Sequence, residues 1–141
     1  MAIRQLSVFI ENRHGSLAEV AETISAAGVD IRALSLAETP DYGILRLIVD
    51  DTYKALDAIK ATGRTVSVNH MLGIRIDDSP GGLSGALRLL TDKGFDVEYM
   101  YAFLSEHGHR ADVVLRVSGT SDDRAAAEAL LAEGGYELIN K

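Results

Sequence analysis

The feature that most constrains the fold of this 141-residue chain is an internal repeat that runs through its whole length. Sliding the sequence by 66 positions aligns five identical pairs, which are Ile10 with Ile76, Gly15 with Gly81, Leu17 with Leu83, Gly28 with Gly94 and Asp30 with Asp96. The spacing of apolar and turn residues repeats along with them. A repeat of about 70 residues predicts that one small fold is built twice.

Each copy carries the same order of secondary-structure signals. Alternating apolar residues predict a strand at 6–10 and at 72–76. Helical spacing then begins after Gly15 and Gly81, and each helix is predicted to end at Gly28 or Gly94. Two strands (31–38 and 45–49; 97–104 and 113–117), a helix (53–62; 122–132) ended by Gly63 or Gly134, and a last strand (65–68; 136–139) follow. Ser16 and Glu19 have the spacing of a capping box.

This order, strand, helix, strand, strand, helix, strand, predicts an α+β protein made of two ferredoxin-like βαββαβ units. Each unit is expected to have an antiparallel sheet with its helices on one face. We place the boundary between residues 1–70 and 71–141, where no Gly-rich, Pro-rich or Ser-rich linker occurs. Units of about 70 residues are marginal alone, so we expect the two to pack side by side with their sheets continued edge to edge.

The candidate binding sites are the loops between the first strand and first helix of each copy. The first reads Glu11-Asn12-Arg13-His14-Gly15-Ser16-Leu17, and the second reads Asp77-Asp78-Ser79-Pro80-Gly81-Gly82-Leu83. A glycine before a helix lets an anion approach the unpaired backbone N–H groups, so a carboxylate fits there. A tight turn is the alternative reading of Gly15 and Gly81. Asp30 and Asp96 are either turn residues or acceptors for a ligand ammonium.

These loops, with Gly-Val-Asp-Ile at 28–31 and Gly-Phe-Asp-Val at 94–97, make the chain resemble two tandem ACT domains. The resemblance implies regulatory modules that bind free amino acids, here at the interface of the two units near the glycine loops. It assigns ligand binding to Asn12, Arg13, His14, Gly15, Ser16, Leu17 and Asp30, and to Asp78, Pro80, Gly81, Gly82, Leu83 and Asp96. His14 stands where the motif usually has the proline that Pro80 keeps.

We expect the two sites to be unequal, with the first loop binding more tightly. Asn12 both donates and accepts hydrogen bonds, whereas an ionised Asp78 only accepts them and repels a ligand carboxylate. The first copy has 7 basic and 9 acidic residues, a net charge of −2, and the second has 7 and 12, a net charge of −5.

Other patterns favour ordinary structural roles. Glu106-His107-Gly108-His109 offers too few ligands for a metal and predicts a solvated hairpin. Tyr99, Tyr101 and Phe103 alternate along one strand, so their rings share one side of the sheet. We expect them to pack in the core or at an interface under the helices, because a net charge of −7 opposes nucleic-acid binding.

The chain has no cysteine, which excludes disulfides, thiol nucleophiles and thiolate metal sites. It has no apolar segment of membrane-spanning length and no signal-like start, so we expect a cytoplasmic protein that does not bind membranes. No catalytic motif, metal site or cofactor site is evident. Arg13 and Asn12 match the residue types used by acylphosphatases, which share the fold, but that assignment rests on fold analogy alone.

The resemblance to ACT domains therefore implies a non-catalytic amino-acid sensor, whose output we expect in self-association or in an enzyme or regulator of another chain. The alternatives are an adaptor without a small-molecule ligand and a small acylphosphatase-like enzyme. We also expect a homodimer, because apolar strand residues remain for the sheet face without helices. These residues are Phe9, Leu34, Leu36 and Met100, if Leu6, Val8, Ile10, Ile31 and Val97 face the helices.

Overall fold

Residues 3–103 and 108–139 are described by the computed structural model, and within them the chain forms seven strands and four helices. In chain order these are β1 (Ile3–Glu11), α1 (Ser16–Ala26), β2 (Ile31–Glu38), β3 (Tyr42–Val49), α2 (Thr52–Ala61), β4 (Val66–Asp77), α3 (Gly82–Asp92), β5 (Val97–Phe103), β6 (Arg110–Val117), α4 (Ser121–Glu133) and β7 (Glu137–Leu138). The chain divides into a first unit, Arg4–His70, and a second unit that starts at Met71 and includes Ile3.

The first unit has the strand order β2-β3-β1-β4, with β1 and β2 both antiparallel to β3. Alternation along β1 puts Leu6 opposite Leu47 and Val8 opposite Leu45, so these four side chains share one face. The helices cover that face, and their apolar side chains complete a buried core with it. The helix residues in this core are Val20 and Ile24 of α1 and Ala55 and Ile59 of α2.

The second unit repeats this arrangement with the strand order β7-β4-β6-β5. Leu72 pairs with Leu115 and Ile74 with Val113, which again forms one apolar face. The side chains that α3 and α4 contribute to its core are Ala86, Leu90, Ala127 and Leu131. The predicted α+β class with two ferredoxin-like units is confirmed, whereas their side-by-side placement stays a prediction.

Two strands predicted at 65–68 and 72–76 are parts of one strand, the twelve-residue β4. Its residues through His70 belong to the first unit, and those from Met71 belong to the second. The sequence between the two predicted strands contains Asn69 and His70 but no glycine or proline. With no glycine or proline to interrupt it, the chain continues as a strand through Asn69 and His70.

Each second strand contains a β-bulge that reverses the predicted orientation of its later residues. The register shifts between Ile31 and Ala33, after which Leu34 lies opposite Leu47 and Leu36 opposite Leu45. Leu34 and Leu36 therefore lie on the helix side of the sheet, and the prediction that they point away from the helices is wrong. One extra residue moves every later side chain to the other face. Phe9, in the bulge-free β1, points away as predicted.

The same correction applies in the second unit, where the register shifts between Val97 and Tyr99. Met100 lies opposite Leu115 and packs against the core under the helices, contrary to the prediction. Tyr99, Tyr101 and Phe103 do share one face, but it is the face opposite the helices. Their predicted packing under the helices is therefore wrong.

Candidate functional site

The first glycine loop begins α1 with an N-terminus that no side chain caps. Gly15 has the left-handed φ of 84° and is the N-cap, and the helix starts at Ser16. The predicted capping box of Ser16 and Glu19 is wrong, because Ser16 lies inside the first turn and Glu19 pairs with arginines instead. The first backbone N–H groups of a helix lack partners within it, so this end carries a partial positive charge.

A cleft of about 500 Å³ lies beside this helix start and is formed entirely by the first unit. Four segments border it: the end of β1 with its loop, the first turn of α1, the β2–β3 turn with the start of β3, and the turn from α2 into β4. Its charged and hydroxyl-bearing lining residues are Glu11, Arg13, Ser16, Glu19, Asp41, Tyr42, Thr62, Arg64 and Thr65. The hydrogen bond from the Phe9 N–H to the Thr65 carbonyl, at 3.0 Å, joins two of these segments.

Glu19 is the centre of an ion-pair bridge across the cleft. Arg13 Nη2 lies 3.0 Å from Glu19 Oε2, and Arg64 Nη2 lies 2.6 Å from the same oxygen. The hydrogen bond from Arg13, followed by the one from Arg64, lowers the pKa of the Glu19 carboxyl below its ordinary value. The same contact raises the pKa of Arg13. One carboxylate thus connects the glycine loop to the α2–β4 turn.

Ser16 supplies an unusual polar group next to this bridge. The residue is only 2% exposed, and its Oγ has no hydrogen-bond partner in the described part of the chain. A buried hydroxyl without a partner costs about 1–3 kcal/mol in proteins. An unsatisfied buried group calls for a physical explanation, and a water molecule, an ion or a ligand at this uncapped helix N-terminus would complete its hydrogen bonds.

The other predicted residues of the first copy lie around the cleft or far from it. Asn12 donates from Nδ2 to the Pro40 carbonyl at 3.0 Å, which ties the loop to the β2–β3 turn. His14, Gly15 and Leu17 are exposed and do not line the cleft. Asp30 lies at the opposite end of the unit, because its N–H donates to Asp50 beyond the far end of β3.

The second glycine loop borders a smaller cleft of about 310 Å³ within the second unit. Gly81, with a φ of 89°, is the N-cap of α3, and Pro80 and Gly82 also line the cleft. Gly82 occupies the position of Ser16, so this helix start has no hydroxyl there. The Asp78 N–H donates to the His109 carbonyl at 2.8 Å.

The charges of the second cleft are already paired. Arg75 makes a bidentate contact to Asp112, whose side chain is 3% exposed, and a 2.8 Å contact to Glu137. The hydrogen bond to Asp112 is the main cause of a raised pKa of Arg75. Asp77 pairs with Arg110 at 3.2 Å. Leu83 is half-buried against the core, and Asp96 is exposed just before β5.

The sequence matches the family model described as an ACT domain pair over residues 1–134. The chain belongs to the ACT domain pair family. Comparison with curated proteins gives no significant match. Among solved structures, this ACT domain pair is 36% identical to protein BT0572 from Bacteroides thetaiotaomicron, with a TM-score of 0.89 over 99% of this chain and 92% of that chain.

Two aspartate kinase structures share the fold at lower identity. The ligand-free regulatory subunit of aspartate kinase from Thermus thermophilus is 15% identical with a TM-score of 0.66, over 92% of this chain and 91% of that chain. The corresponding subunit from Thermus flavus is 13% identical with a TM-score of 0.61, over 94% and 92% of the two chains. At these identities the likeness concerns the fold.

Sequence reasoning missed Glu19 and Arg64 as site residues. Glu19 matched a capping motif, and Arg64 followed a helix-ending glycine with no other signal. Their contact joins residues 45 positions apart, which no local pattern predicts. The repeat offers one hint, because turns that follow the second helix border both clefts, with Gly63 in the first and Gly135 in the second.

Within residues 3–103 and 108–139, no helix is long and apolar enough to cross a membrane. No group of three or more His, Asp or Glu side chains in these ranges is arranged to hold a metal ion. In the predicted hairpin, Glu106 and His107 lie outside the described residues, and His109 has a left-handed φ of 62°.

Proposed function

We propose that this ACT domain pair is a non-catalytic regulatory protein that binds a free amino acid at its first glycine loop. The observation that carries the proposal is the buried, unpartnered Ser16 hydroxyl at the uncapped start of α1, beside a cleft lined by both signs of charge. An anion accepts hydrogen bonds from such a helix start and from the hydroxyl.

The mixed charge of the first cleft suits a zwitterion better than a simple anion or cation. An α-carboxylate needs donors, which Ser16, Arg13 and the helix N-terminus supply. An ammonium needs acceptors, and two carboxylates lie at the same cleft, Asp41 and Glu11, of which Glu11 lies 3.5 Å from Arg13. A volume of about 500 Å³ lies within the range of small-molecule sites.

The regulatory part of the proposal draws on the family and on solved relatives. Two proteins of the same fold are named as regulatory subunits of aspartate kinase. We infer that the signal from a bound amino acid reaches an enzyme or regulator in another chain. The division into units 1–70 and 71–141 stays a prediction. The resemblance implies a ligand between the units, whereas the cleft proposed here is lined by the first unit alone.

A thermal-shift screen of the twenty proteinogenic amino acids, followed by calorimetry, tests the binding step. One or a few amino acids should raise the melting temperature of the wild type. Gly15→Val should weaken their binding because a β-branched residue strains the left-handed N-cap that positions the start of α1. Gly28→Val is the matched control, because Gly28 also has a left-handed φ, 75°, but lies at the C-terminal end of α1. If no amino acid shifts the melting temperature, the proposal is refuted and an adaptor is favoured. Catalytic turnover of a substrate would refute the non-catalytic part of the proposal.

We also infer that the second site is the weaker one. Gly82 replaces the hydroxyl of Ser16 there, and the acceptor-only Asp78 replaces Asn12. Calorimetry on the wild type and on Asp78→Asn tests this inequality. The variant should strengthen the second site, whereas two equal sites in the wild type would contradict it.

The partner proposal is a homodimer formed through β2. This strand ends the strand order of the first unit and exposes Leu34 and Leu36 at 54% and 44%. Antiparallel pairing of β2 with a second copy about Ser35 places Leu34 opposite the partner's Leu36. The bulge at Arg32 ends the regular register, so the strand is complementary to itself in the apolar pattern of its later residues.

Light scattering at micromolar concentration tests the dimer. The wild type should have twice the mass of one chain, and the double variant Leu34→Glu, Leu36→Glu should be monomeric because like charges would then face each other. Leu17→Glu is the control, since Leu17 is equally exposed at 43% but lies on α1. A monomeric wild type, or a dimer that survives the double substitution, would refute the β2 interface.

A further inference from the structure

We propose that Glu19 is a built-in competitor for the ligand carboxylate, occupying the two guanidinium groups of the first cleft until an amino acid displaces it. This inference rests on the proposed function, because it concerns the same cleft. It adds the residue that sets the affinity of the site and the segment that responds to ligand binding.

The geometry of the bridge supports exchange of one carboxylate for another. Glu19 presents both oxygens to Arg13, at 3.3 and 3.0 Å, which is the bidentate arrangement that a free carboxylate also adopts with arginine. Arg64 Nη2 contacts the same group at 2.6 Å. A ligand carboxylate at this helix start meets donors of the same kind and competes for them.

Exposure makes the Arg13–Glu19 ion pair weak enough to be replaced. The side chains of Arg13 and Glu19 are 52% and 46% exposed, and an ion pair with such access to water contributes little to stability. Arg64, at 19% exposed, is the less accessible partner. Glu19 is also held on α1, whereas Arg13 lies in the loop before it and Arg64 lies in the turn after α2. Release of Glu19 therefore frees two loop segments without breaking the core.

The second unit provides an internal contrast. At the repeat offset of 66, the position of Glu19 is occupied by Gly85, so α3 has no carboxylate facing its glycine loop. The arginine of that cleft, Arg75, is instead held by Asp112, which is buried. The competing carboxylate is therefore a feature of the first unit, where the unpartnered Ser16 hydroxyl also lies.

Displacement of Glu19 also indicates how ligand binding changes the rest of the first unit. When Glu19 binds Arg64, the turn before β4 is tied to α1, and the Thr65 carbonyl is held by the Phe9 N–H of β1. A ligand carboxylate that binds one guanidinium in place of Glu19 breaks the ion pair between these segments. The elements whose freedom changes on binding are thus the glycine loop and the α2–β4 turn.

The test compares wild type, Glu19→Gln and Glu22→Gln against each of the twenty amino acids by thermal shift and calorimetry. Glu22→Gln makes the same change of charge on the exposed side of α1, at a residue that does not line the cleft. Circular dichroism confirms that each variant is folded. Glu19→Gln should bind the same amino acid roughly fivefold more tightly than wild type, and Glu22→Gln should bind it as wild type does.

A second readout separates this inference from the proposed function. Sodium acetate is titrated while the Arg13 and Arg64 side-chain N–H signals are followed by NMR, and acetate should perturb both at lower concentration in Glu19→Gln than in wild type. Amino-acid binding that is unchanged or weaker in Glu19→Gln refutes competition while leaving the proposed function intact. Failure of every amino acid to bind refutes the proposed function, and the acetate titration then decides the competition alone: an equal or weaker response in Glu19→Gln refutes it.

Discussion

Replacing Ser16 with alanine should make this protein more stable and its ligand site weaker. The Ser16 hydroxyl is buried without a partner in the described residues, so the folded state carries a desolvation cost that the unfolded chain does not. Protein data put that cost at about 1–3 kcal/mol, and alanine leaves only a small void. We expect Ser16→Ala to raise the free energy of unfolding by about 1 kcal/mol, or the melting temperature by about 4 °C.

Urea unfolding and thermal melts followed by circular dichroism measure this change. Ser25→Ala is the matched control, because Ser25 lies exposed on the same helix and reports the helix propensity gained by any serine-to-alanine change, about 0.5 kcal/mol or less. Calorimetry should show that Ser16→Ala binds the amino acid about tenfold more weakly, since a hydrogen bond to a charged group is lost. If Ser16→Ala gains no more stability than Ser25→Ala, the hydroxyl is not unsatisfied and the reasoning fails.

Two other perturbations test the glycine loops and the ion-pair bridge. Gly82→Ala should lower the free energy of unfolding more than Gly15→Ala, because a Cβ at Gly82 overlaps the Asp77 carbonyl oxygen. A Cβ at Gly15 meets open space and adds only the strain of the left-handed backbone, about 1–2 kcal/mol. Equal losses of unfolding free energy, measured by urea unfolding, would contradict this. Arg13 holds the folded pKa of Glu19 below its ordinary value near 4.5, so the stability it contributes is present above pH 4.5 and is lost as the pH falls through the folded value. Glu19→Gln should therefore flatten the plot of unfolding free energy against pH below about 4.5, and parallel plots for the two proteins would refute the contribution.

Features that depend on neighbours along the chain could be predicted from the sequence. The repeat located both glycine loops, and Gly15 and Gly81 do start helices in left-handed conformations. Gly28 and Gly94 do end them, with φ of 75° and 83°. Gly134 follows α4 as predicted, and the next residue, Gly135, adopts the left-handed conformation. These are local properties, since the allowed backbone angles depend on the residue itself.

Side-chain orientation beyond a β-bulge could not be predicted in the same way. The alternation of apolar residues assigns faces only while the register is regular, and the shift after Ile31 is decided by hydrogen bonds to β3. Leu34 and Leu36 therefore lie on the face opposite to the predicted one, while Phe9, in the regular register of β1 with β3, lies on the predicted face.

By itself the sequence determined the order of elements, the duplication and the position of the glycine loops, because strand and helix periods and left-handed glycines are encoded over a few residues. Only the tertiary structure decided which groups meet at the first loop. The Glu19 carboxylate pairs with Arg64, 45 residues away, and burial leaves the Ser16 hydroxyl without a partner. Both depend on how distant segments approach after folding, since ion pairing and desolvation are set by distance in space and not by spacing along the chain.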